Sequence, residues 1–365
     1  MKTAARLITA LAVLALAGGV HAQIEKPNVH IAVGGKSALY YLPLTITERL
    51  GYFKDEGLNV RISDFSGGTR SLEAVVGGSA DVVSGAYEHT INMQTKKISF
   101  QAFVLSGVAP QISVGIATSK AANYKSPKDL KGLRVGVSAP GSSTNMVINY
   151  FIAKGGLKPS DIAVIGVGAG SAVIAALEQG RVDVLSQTDP AMTILEKEGM
   201  IKIIAETRTP EGTEKLFGGP MPAASLYAPI EFIKKNPNTV QALTNAMVRA
   251  LIWMQEATPQ EVLAAVPEEY LLGNKAMYLF AYRNVKTAYS KDGLFSEAGA
   301  KTTLRALASF NPEVKPESIK LADTYTNDFV KRAHAKYLAK APAAHDKDTP
   351  AMSDKKAPAK SAKKG

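Results

Sequence analysis

The segment Ala74-Val-Val-Gly-Gly-Ser-Ala-Asp81-Val-Val-Ser84 returns further along the chain as Ala176-Leu-Glu-Gln-Gly-Arg-Val-Asp183-Val-Leu-Ser186. Five of the eleven positions are identical, and three more are apolar in both copies. The strand and loop at residues 31–37 return at a similar offset, at residues 135–142. Repetition at one offset predicts two lobes built on the same βαβ plan. Chance similarity is the alternative, because Gly after a helix and Asp before a strand are common at such turns.

Around these segments, short β-branched runs alternate with helical patterns. Strands are predicted at residues 29–33, 59–64 and 81–84, with helices at 39–49 and 69–76 between them. This alternation predicts an α/β fold with mostly parallel sheets. Helical periodicity dominates later, in segments 239–256, 260–266, 296–309 and 319–332. Because these segments carry too little strand for a sheet, we expect them to cover the first lobe, which is then discontinuous in sequence.

The first 22 residues have the pattern of a cleavable secretory signal. Lys2 and Arg6 precede an uncharged run at residues 7–20, which ends in Val20-His21-Ala22. The run is shorter than the roughly 20 apolar residues that span a bilayer, which disfavours a membrane anchor. The chain has no cysteine, so it can carry neither a lipid-modified cysteine nor a disulfide. We therefore expect export to the periplasm, with cleavage near Ala22.

The net charge of +11 is concentrated partly at the chain ends. Residues 340–365 hold seven lysines against three aspartates, and residues 339–365, rich in Lys, Ala and Pro, are predicted to be a disordered tail. The rest is mildly positive. That charge suits an anionic ligand, although solvated surface lysines explain it as well. No basic helix or aromatic-interleaved patch is present, so no nucleic-acid partner is expected.

Ligands of open α/β sheets bind outside the carboxyl ends of the strands. The loops at those ends supply the candidate ligand-binding residues: Gly35, Lys36, Ser37, Gly67, Gly68, Gly85, Ala86, Tyr87, Ser138, Ser142, Ser143, Thr144, Asn145, Thr188 and Asp189.

The strongest candidate among them is the hydroxyl-rich loop at residues 138–145, which leads from a strand into an apolar helix. Free backbone N–H groups and the positive end of the helix dipole hold carboxylate, sulfonate or phosphate. Helix capping is the alternative role for the same hydroxyls. Lys36 is a candidate cation for the ligand. Tyr40, Tyr41 and Tyr87 either stack on an organic ligand or complete the core.

Patterns expected of an enzyme are weak. Gly166-Val-Gly168-Ala-Gly170-Ser171 lacks the third glycine of a dinucleotide-binding motif. The five histidines show no metal-ligand spacing, and no Gly-x-Ser-x-Gly elbow is present. We therefore expect no catalytic residues, no metal and no cofactor.

One further stretch carries a family resemblance. Leu42-Pro43-Leu44, followed by Glu48-Arg49-Leu50-Gly51-Tyr52-Phe53-Lys54-Asp55-Glu56-Gly57-Leu58-Asn59-Val60, resembles the hallmark of nitrate/sulfonate/taurine-type binding proteins, the NMT1/THI5-like group. Gly78-Ser79-Ala80-Asp81-Val82 fits a second hallmark of the group. Residues 126–137 resemble the segment that opens its second lobe. The resemblance covers residues 29–235.

This resemblance implies a type II periplasmic binding protein fold, two lobes joined by a two-crossing hinge near residues 110–114 and 220–226. Lobe 1 is then residues 23–112 plus 224–338, and lobe 2 is residues 113–223. It further implies a monomer that captures a small organic anion, such as a sulfonate, an aromatic or other carboxylate, or a nitrate-like ion. An inner-membrane ABC permease would receive the ligand.

Two other functions stay open. One is a periplasmic sensory module that presents its ligand to a receptor. The other is an enzyme similar to the pyrimidine synthase of thiamine biosynthesis. That branch of the group is intracellular and carries a cysteine-rich motif, whereas this chain has a predicted signal and no cysteine.

Overall fold

The computed structural model describes residues 23–338. The predicted signal at residues 1–22 and the predicted tail at 339–365 lie outside the described residues. Within them the strands are Asn28–Gly34 (β1), Asn59–Phe65 (β2), Val82–Ala86 (β3), Phe100–Leu105 (β4), Ile112–Ala117 (β5), Arg134–Val137 (β6), Ala163–Gly166 (β7), Val184–Thr188 (β8), Ile201–Glu206 (β9) and Ala224–Pro229 (β10).

The α-helices are Leu42–Arg49 (α1), Tyr52–Asp55 (α2), Gly68–Val76 (α3), Glu88–Thr95 (α4), Thr118–Ala121 (α5), Ser143–Ala153 (α6), Ser171–Glu178 (α7), Ala191–Lys197 (α8), Pro210–Phe217 (α9), Ile230–Lys235 (α10), Pro237–Glu256 (α11), Pro259–Ala265 (α12), Lys275–Val285 (α13), Glu297–Ala308 (α14) and Asp328–Tyr337 (α15). Short 3₁₀ turns lie at Leu39–Tyr41, Pro127–Leu130, Pro159–Asp161, Glu268–Leu271, Lys286–Ala288, Pro316–Ser318 and Leu321–Asp323.

Two five-stranded sheets have the same topology. Their orders are β2-β1-β3-β10-β4 and β7-β6-β8-β5-β9. In each sheet the first three strands pair in parallel, and the fourth runs antiparallel to both of its neighbours. Four of five strands therefore share one direction, which confirms the predicted α/β class of two mostly parallel lobes.

The repeated segment occupies the same place in both sheets, because it connects α3 to β3 and α7 to β8. Each helix ends at a left-handed glycine, Gly78 (φ 76°) or Gly180 (φ 61°), the conformation that closes helices and favours Gly. Each aspartate then accepts a hydrogen bond from the neighbouring parallel strand. The Asp81 Oδ2 atom accepts from His30 N–H at 2.9 Å, and Asp183 Oδ2 accepts from Arg134 N–H at 3.0 Å.

Two crossings join the sheets, at residues 106–111 and 207–223, and they are hydrogen-bonded to each other at both ends. Ala223 N–H donates to Gly107 O at 2.9 Å, and Gln111 N–H donates to Thr207 O at 2.8 Å. The strands beside the crossings, β5 and β10, are the antiparallel members of their sheets. The exact lobe boundaries at residues 112 and 224 stay a prediction.

The later helices pack mainly against the first sheet but also reach the second lobe. Helix α11 packs against α1, β4 and α15, whereas α13 contacts α8 and α14 contacts α6. The predicted helix at residues 319–332 is wrong, because α15 begins only at Asp328. Ala102 N–H donates to Thr324 O, and Thr326 N–H donates to Ala102 O, so this segment pairs with the edge strand β4 instead.

Candidate functional site

A cavity lies between the two lobes. It is bounded by the carboxyl ends of parallel strands from both sheets, where α/β folds place their ligands. Its lining residues are Gly34, Ala38, Tyr40, Tyr41, Gly68, Ala86, Ile112, Ser138, Ser142, Ser143, Thr144, Ala169, Gln187 and Thr188. None of these side chains carries a formal charge, so polar recognition rests on backbone groups, hydroxyls and one amide.

Two helix starts converge on the cavity, one from each lobe. At the start of α6, the N–H groups of Ser143, Thr144 and Asn145 have no acceptor among residues 23–338. At the start of α3, the Gly68 and Thr69 N–H groups are likewise without an acceptor in the described chain. Unpaired N–H groups at helix starts attract negative charge, an effect that the helix dipole reinforces.

Three hydroxyls below the α6 start bond to one another. Ser138 Oγ lies 2.9 Å from Ser142 Oγ and 3.0 Å from Thr144 Oγ1, and the last two are 2.8 Å apart. Ser142 occupies the N-cap position, yet its Oγ donates to Ala139 O at 2.6 Å and accepts from no helical N–H. Capping by Ser142 therefore does not use up the helix N–H groups, which leaves them available to a ligand.

Close contact between the lobes explains the glycines of two candidate loops. A Cβ at Gly35 would lie 2.7 Å from the Ala169 Cβ, and Gly35 has φ +93°. A Cβ at Gly67 would lie 2.7 Å from the Ala139 Cβ. Such distances are too short for carbon atoms, so any side chain at either position would push the lobes apart. Hydrogen bonds also join the lobes here, including Thr69 Oγ1 to Pro140 O at 3.0 Å.

Of the candidate residues, Gly68, Ala86, Ser138, Ser142, Ser143, Thr144 and Thr188 line the cavity. Gly35, Ser37 and Gly67 lie at the contact between lobes beside it. Gly85 packs against the Tyr227 hydroxyl, where its Cβ would lie 3.0 Å from the oxygen. Their ligand contacts stay predictions.

The side chains of four other candidates do not line the cavity. The Lys36 ammonium pairs with Glu48 Oε2 at 2.5 Å. The Tyr87 hydroxyl lies 2.6 Å from Thr324 Oγ1 inside the core. Asn145 Oδ1 accepts from Gly141 N–H, and its side chain lines a separate groove next to α14.

The fourth candidate, Asp189, forms a buried ion pair. Arg208 Nε donates to Asp189 Oδ2 at 2.8 Å, and the two side chains are 6% and 1% exposed. Asp189 Oδ1 also accepts from Thr193 N–H at 2.8 Å. Burial acts to lower the pKa of Arg208, but Asp189 and then Glu196 outweigh it and raise that pKa above its usual value. The Asp189 carboxylate therefore stabilises the loop after β8 and does not face the cavity.

Sequence patterns did not single out Gln187, and they left the role of Tyr40 open. Tyr40 lines the cavity and is 4% exposed, and its hydroxyl lies near the Ser143 side chain but makes no hydrogen bond of normal geometry with a described residue. Burial raises the pKa of this hydroxyl well above its usual range, and the Glu88 carboxylate raises it further, so it stays a neutral donor. A tyrosine after a Gly-rich loop was the available signal, but it does not reveal which way the hydroxyl points.

Two five-stranded α/β lobes with a cleft at their strand ends are the architecture of the type II periplasmic binding protein fold. The sequence profile described as NMT1/THI5 like matches residues 39–262, more than half of the chain. The chain therefore belongs to the NMT1/THI5-like family.

Several individual proteins are similar to this chain. A solved protein from Bordetella bronchiseptica RB50 is 53% identical with a TM-score of 0.85, and the match covers 87% of this chain and 99% of that one. The periplasmic nitrate-binding protein NrtA from Synechocystis PCC 6803 has a TM-score of 0.66 at 14% identity, covering 86% of this chain and 90% of NrtA. A 4-amino-5-hydroxymethyl-2-methylpyrimidine phosphate synthase of Schizosaccharomyces pombe is 26% identical over 144 residues, 40% of either chain.

Two features are absent from residues 23–338. No helix there has the length and apolar character needed to cross a bilayer. No cluster of three or more His, Asp or Glu side chains in the same range is arranged to hold a metal ion.

Proposed function

We propose that this protein captures a small organic acid in the periplasm and delivers it to an ABC permease of the inner membrane. The observation that carries the proposal is the pair of helix starts that direct unpaired N–H groups into one cavity between the lobes. A carboxylate, sulfonate or nitrate-like group supplies the acceptors that these donors lack. Membership of a family that contains binding proteins supports delivery to a permease.

Ligand capture by closure of the lobes fits the glycine contacts at the cleft. A ligand that bridges both lobes stabilises the closed arrangement by its contacts to each. The ligand therefore reports its presence to a membrane partner through the relative position of the lobes.

The test is a thermal-shift screen of the protein against carboxylates, sulfonates, nitrate, neutral sugars and amines, followed by calorimetry of the hits. We expect acids to raise Tm, and Ser142→Ala to weaken the tightest acid at least tenfold. Thr258→Ala is the matched control, because Thr258 caps α12 far from the cleft by accepting from Glu261 N–H at 3.3 Å. It should cost about 1 kcal/mol of stability and leave affinity unchanged. If only neutral or cationic compounds raise Tm, the proposal is wrong.

The synthase match favours catalysis as a second candidate function. Mass spectrometry separates the two. A binding protein returns its ligand unchanged after prolonged incubation and denaturation, whereas an enzyme of that kind alters it.

A further inference from the structure

Gln111, the last residue of the first crossing between the lobes, has an unusual backbone conformation. Its φ angle is 56°, in the left-handed region that favours glycine. Among residues 23–338, Lys97 and Leu272 are the other non-glycine residues with positive φ, and both lie at the end of a helix, where left-handed residues are common. Gln111 lies at no helix end, so the crossing itself imposes its conformation.

Hydrogen bonds to the second crossing hold Gln111 in this conformation. Its N–H donates to Thr207 O at 2.8 Å, and Thr207 N–H donates to Ile112 O at 2.8 Å. Pro110 precedes it, and the left-handed residue that follows proline in a turn is usually Gly or Asn. Hinge motions change the backbone angles of a few residues at the ends of elements, and Gln111 occupies such a position between the crossing and β5.

The Gln111 side chain is buried between the two crossings. It is 1% exposed, and neither its amide nitrogen nor its amide oxygen has a hydrogen-bond partner among the described residues. Its Nε2 lies beside Gly107, since a Cβ on that glycine would be 3.5 Å away, and Ala224 packs against the same glycine from the end of the second crossing. A buried amide without partners destabilises the arrangement that buries it.

Both unfavourable features occur while the lobes are in contact. Thr69 Oγ1 of lobe 1 donates to Pro140 O of lobe 2 at 3.0 Å beside the cavity. Ile112, the residue after Gln111, lines that cavity and pairs with Thr188 on β8. A rotation that separates the lobes therefore moves the backbone at Gln111, which releases the left-handed angle and opens the space around the amide.

We propose that Gln111 opposes closure of the lobes and thereby determines how tightly the cleft binds its ligand. In the ligand-free protein the unfavourable features at this residue favour separated lobes, and a ligand that contacts both lobes must offset them. Gln111 does not line the cavity, so it is a positioning residue. This inference rests on the proposed function, because closure around a ligand is part of it, and adds the residue that controls closure.

The alternative is that Gln111 keeps the same conformation whether the lobes are together or apart. Its replacement would then change the free energy of unfolding but not the ratio of closed to separated protein. A measurement of that ratio distinguishes the two roles, whereas a measurement of stability does not.

The experiment measures the distance between the lobes in ligand-free protein by pulsed electron spin resonance. The chain has no cysteine, so Arg70→Cys on α3 and Ala172→Cys on α7 place one spin label at an exposed position of each lobe. Gln111→Gly removes the amide and accepts the left-handed angle without penalty. We expect it to raise the ratio of closed to separated protein roughly tenfold and to lower the Kd of the tightest acid by about three- to tenfold.

Two further variants complete the design. Lys97→Gly is the matched control, because it relieves the same kind of backbone angle at an exposed helix end outside the crossings. It should raise stability and leave both the distances and Kd unchanged. Gln111→Met keeps the backbone angle and removes only the amide, so it should shift the distances in the same direction as Gln111→Gly by a smaller factor.

The distances decide the inference without any ligand. An unchanged or lower closed fraction in Gln111→Gly and Gln111→Met overturns it, as does an equal rise in Lys97→Gly. Wild-type protein that is already fully closed without ligand also overturns it. The proposed function fails separately, if no acid in the wider screen raises Tm, and that result leaves the ligand-free distances to be interpreted as before.

Discussion

The two lobes share their framework and differ in what they present to the cleft. Strand order, the glycine that ends the helix and the aspartate that holds the next strand are the same in both. At the cleft, both lobes offer helix N–H groups, but lobe 2 adds hydroxyls and the Gln187 amide, whereas lobe 1 adds the tyrosines Tyr40 and Tyr41. The repeat thus accounts for how the lobes fold, and the differences at the strand ends account for ligand choice.

The largest expected effect concerns a feature that only lobe 2 has. Arg208→Met removes the counter-charge of buried Asp189, and we expect it to lower the free energy of unfolding by about 3–5 kcal/mol. Urea unfolding at neutral pH measures this loss. Arg134→Met is the control, since Arg134 pairs with Asp183 but its side chain is 46% exposed, and it should cost about 1 kcal/mol or less. Equal losses in the two variants would show that Arg208 does not stabilise a buried charge.

The second prediction compares the shared aspartates directly. Hydrogen bonding by the Arg134 side chain lowers the pKa of Asp183 in the folded protein. Stability from such a group is present above its unfolded pKa of about 3.9 and is lost as pH falls through the folded value. Asp183→Asn should therefore cost about 1–3 kcal/mol at pH 7 and progressively less as the pH falls below about 4.

Asp81→Asn is the matched variant in lobe 1. Its carboxylate accepts the same backbone bond, but Lys26 Nζ lies 3.4 Å away instead of a two-point arginine contact. We expect a smaller loss at pH 7 than for Asp183→Asn, measured by the same urea titration. A larger loss at Asp81 would contradict the view that the arginine strengthens the second copy.

The repeat and the alternation of strands and helices were sufficient to predict the parallel part of both sheets, because β1 to β3 and β6 to β8 follow one another in sequence. The strand at residues 134–137 and the hydroxyl loop that follows it appear as predicted. Side-chain direction was not predictable in the same way. The Tyr87 hydroxyl bonds with Thr324, and the Asp189 carboxylate bonds with Arg208. Both partners lie far away in sequence, so a local sequence pattern could not reveal the direction of either side chain. The prediction of a helix at residues 319–332 was wrong for the same reason, because part of this segment bonds to the distant strand β4.

The smallest expected effect tests what lobe 1 contributes to the ligand. Tyr40 and Tyr282 are both buried tyrosines whose hydroxyls make no hydrogen bond of normal geometry with a described residue, but only Tyr40 lines the cavity. A buried hydroxyl without a partner destabilises a protein, so Tyr40→Phe and Tyr282→Phe should each leave stability unchanged or raise it by about 1 kcal/mol. Only Tyr40→Phe should weaken the tightest acid of the screen, by roughly three- to tenfold, the equivalent of one neutral hydrogen bond. Calorimetry on both variants measures these affinities. An unchanged Kd in Tyr40→Phe would show that the Tyr40 hydroxyl does not contact the ligand. A raised Kd in Tyr282→Phe would show that loss of any buried hydroxyl affects closure of the lobes.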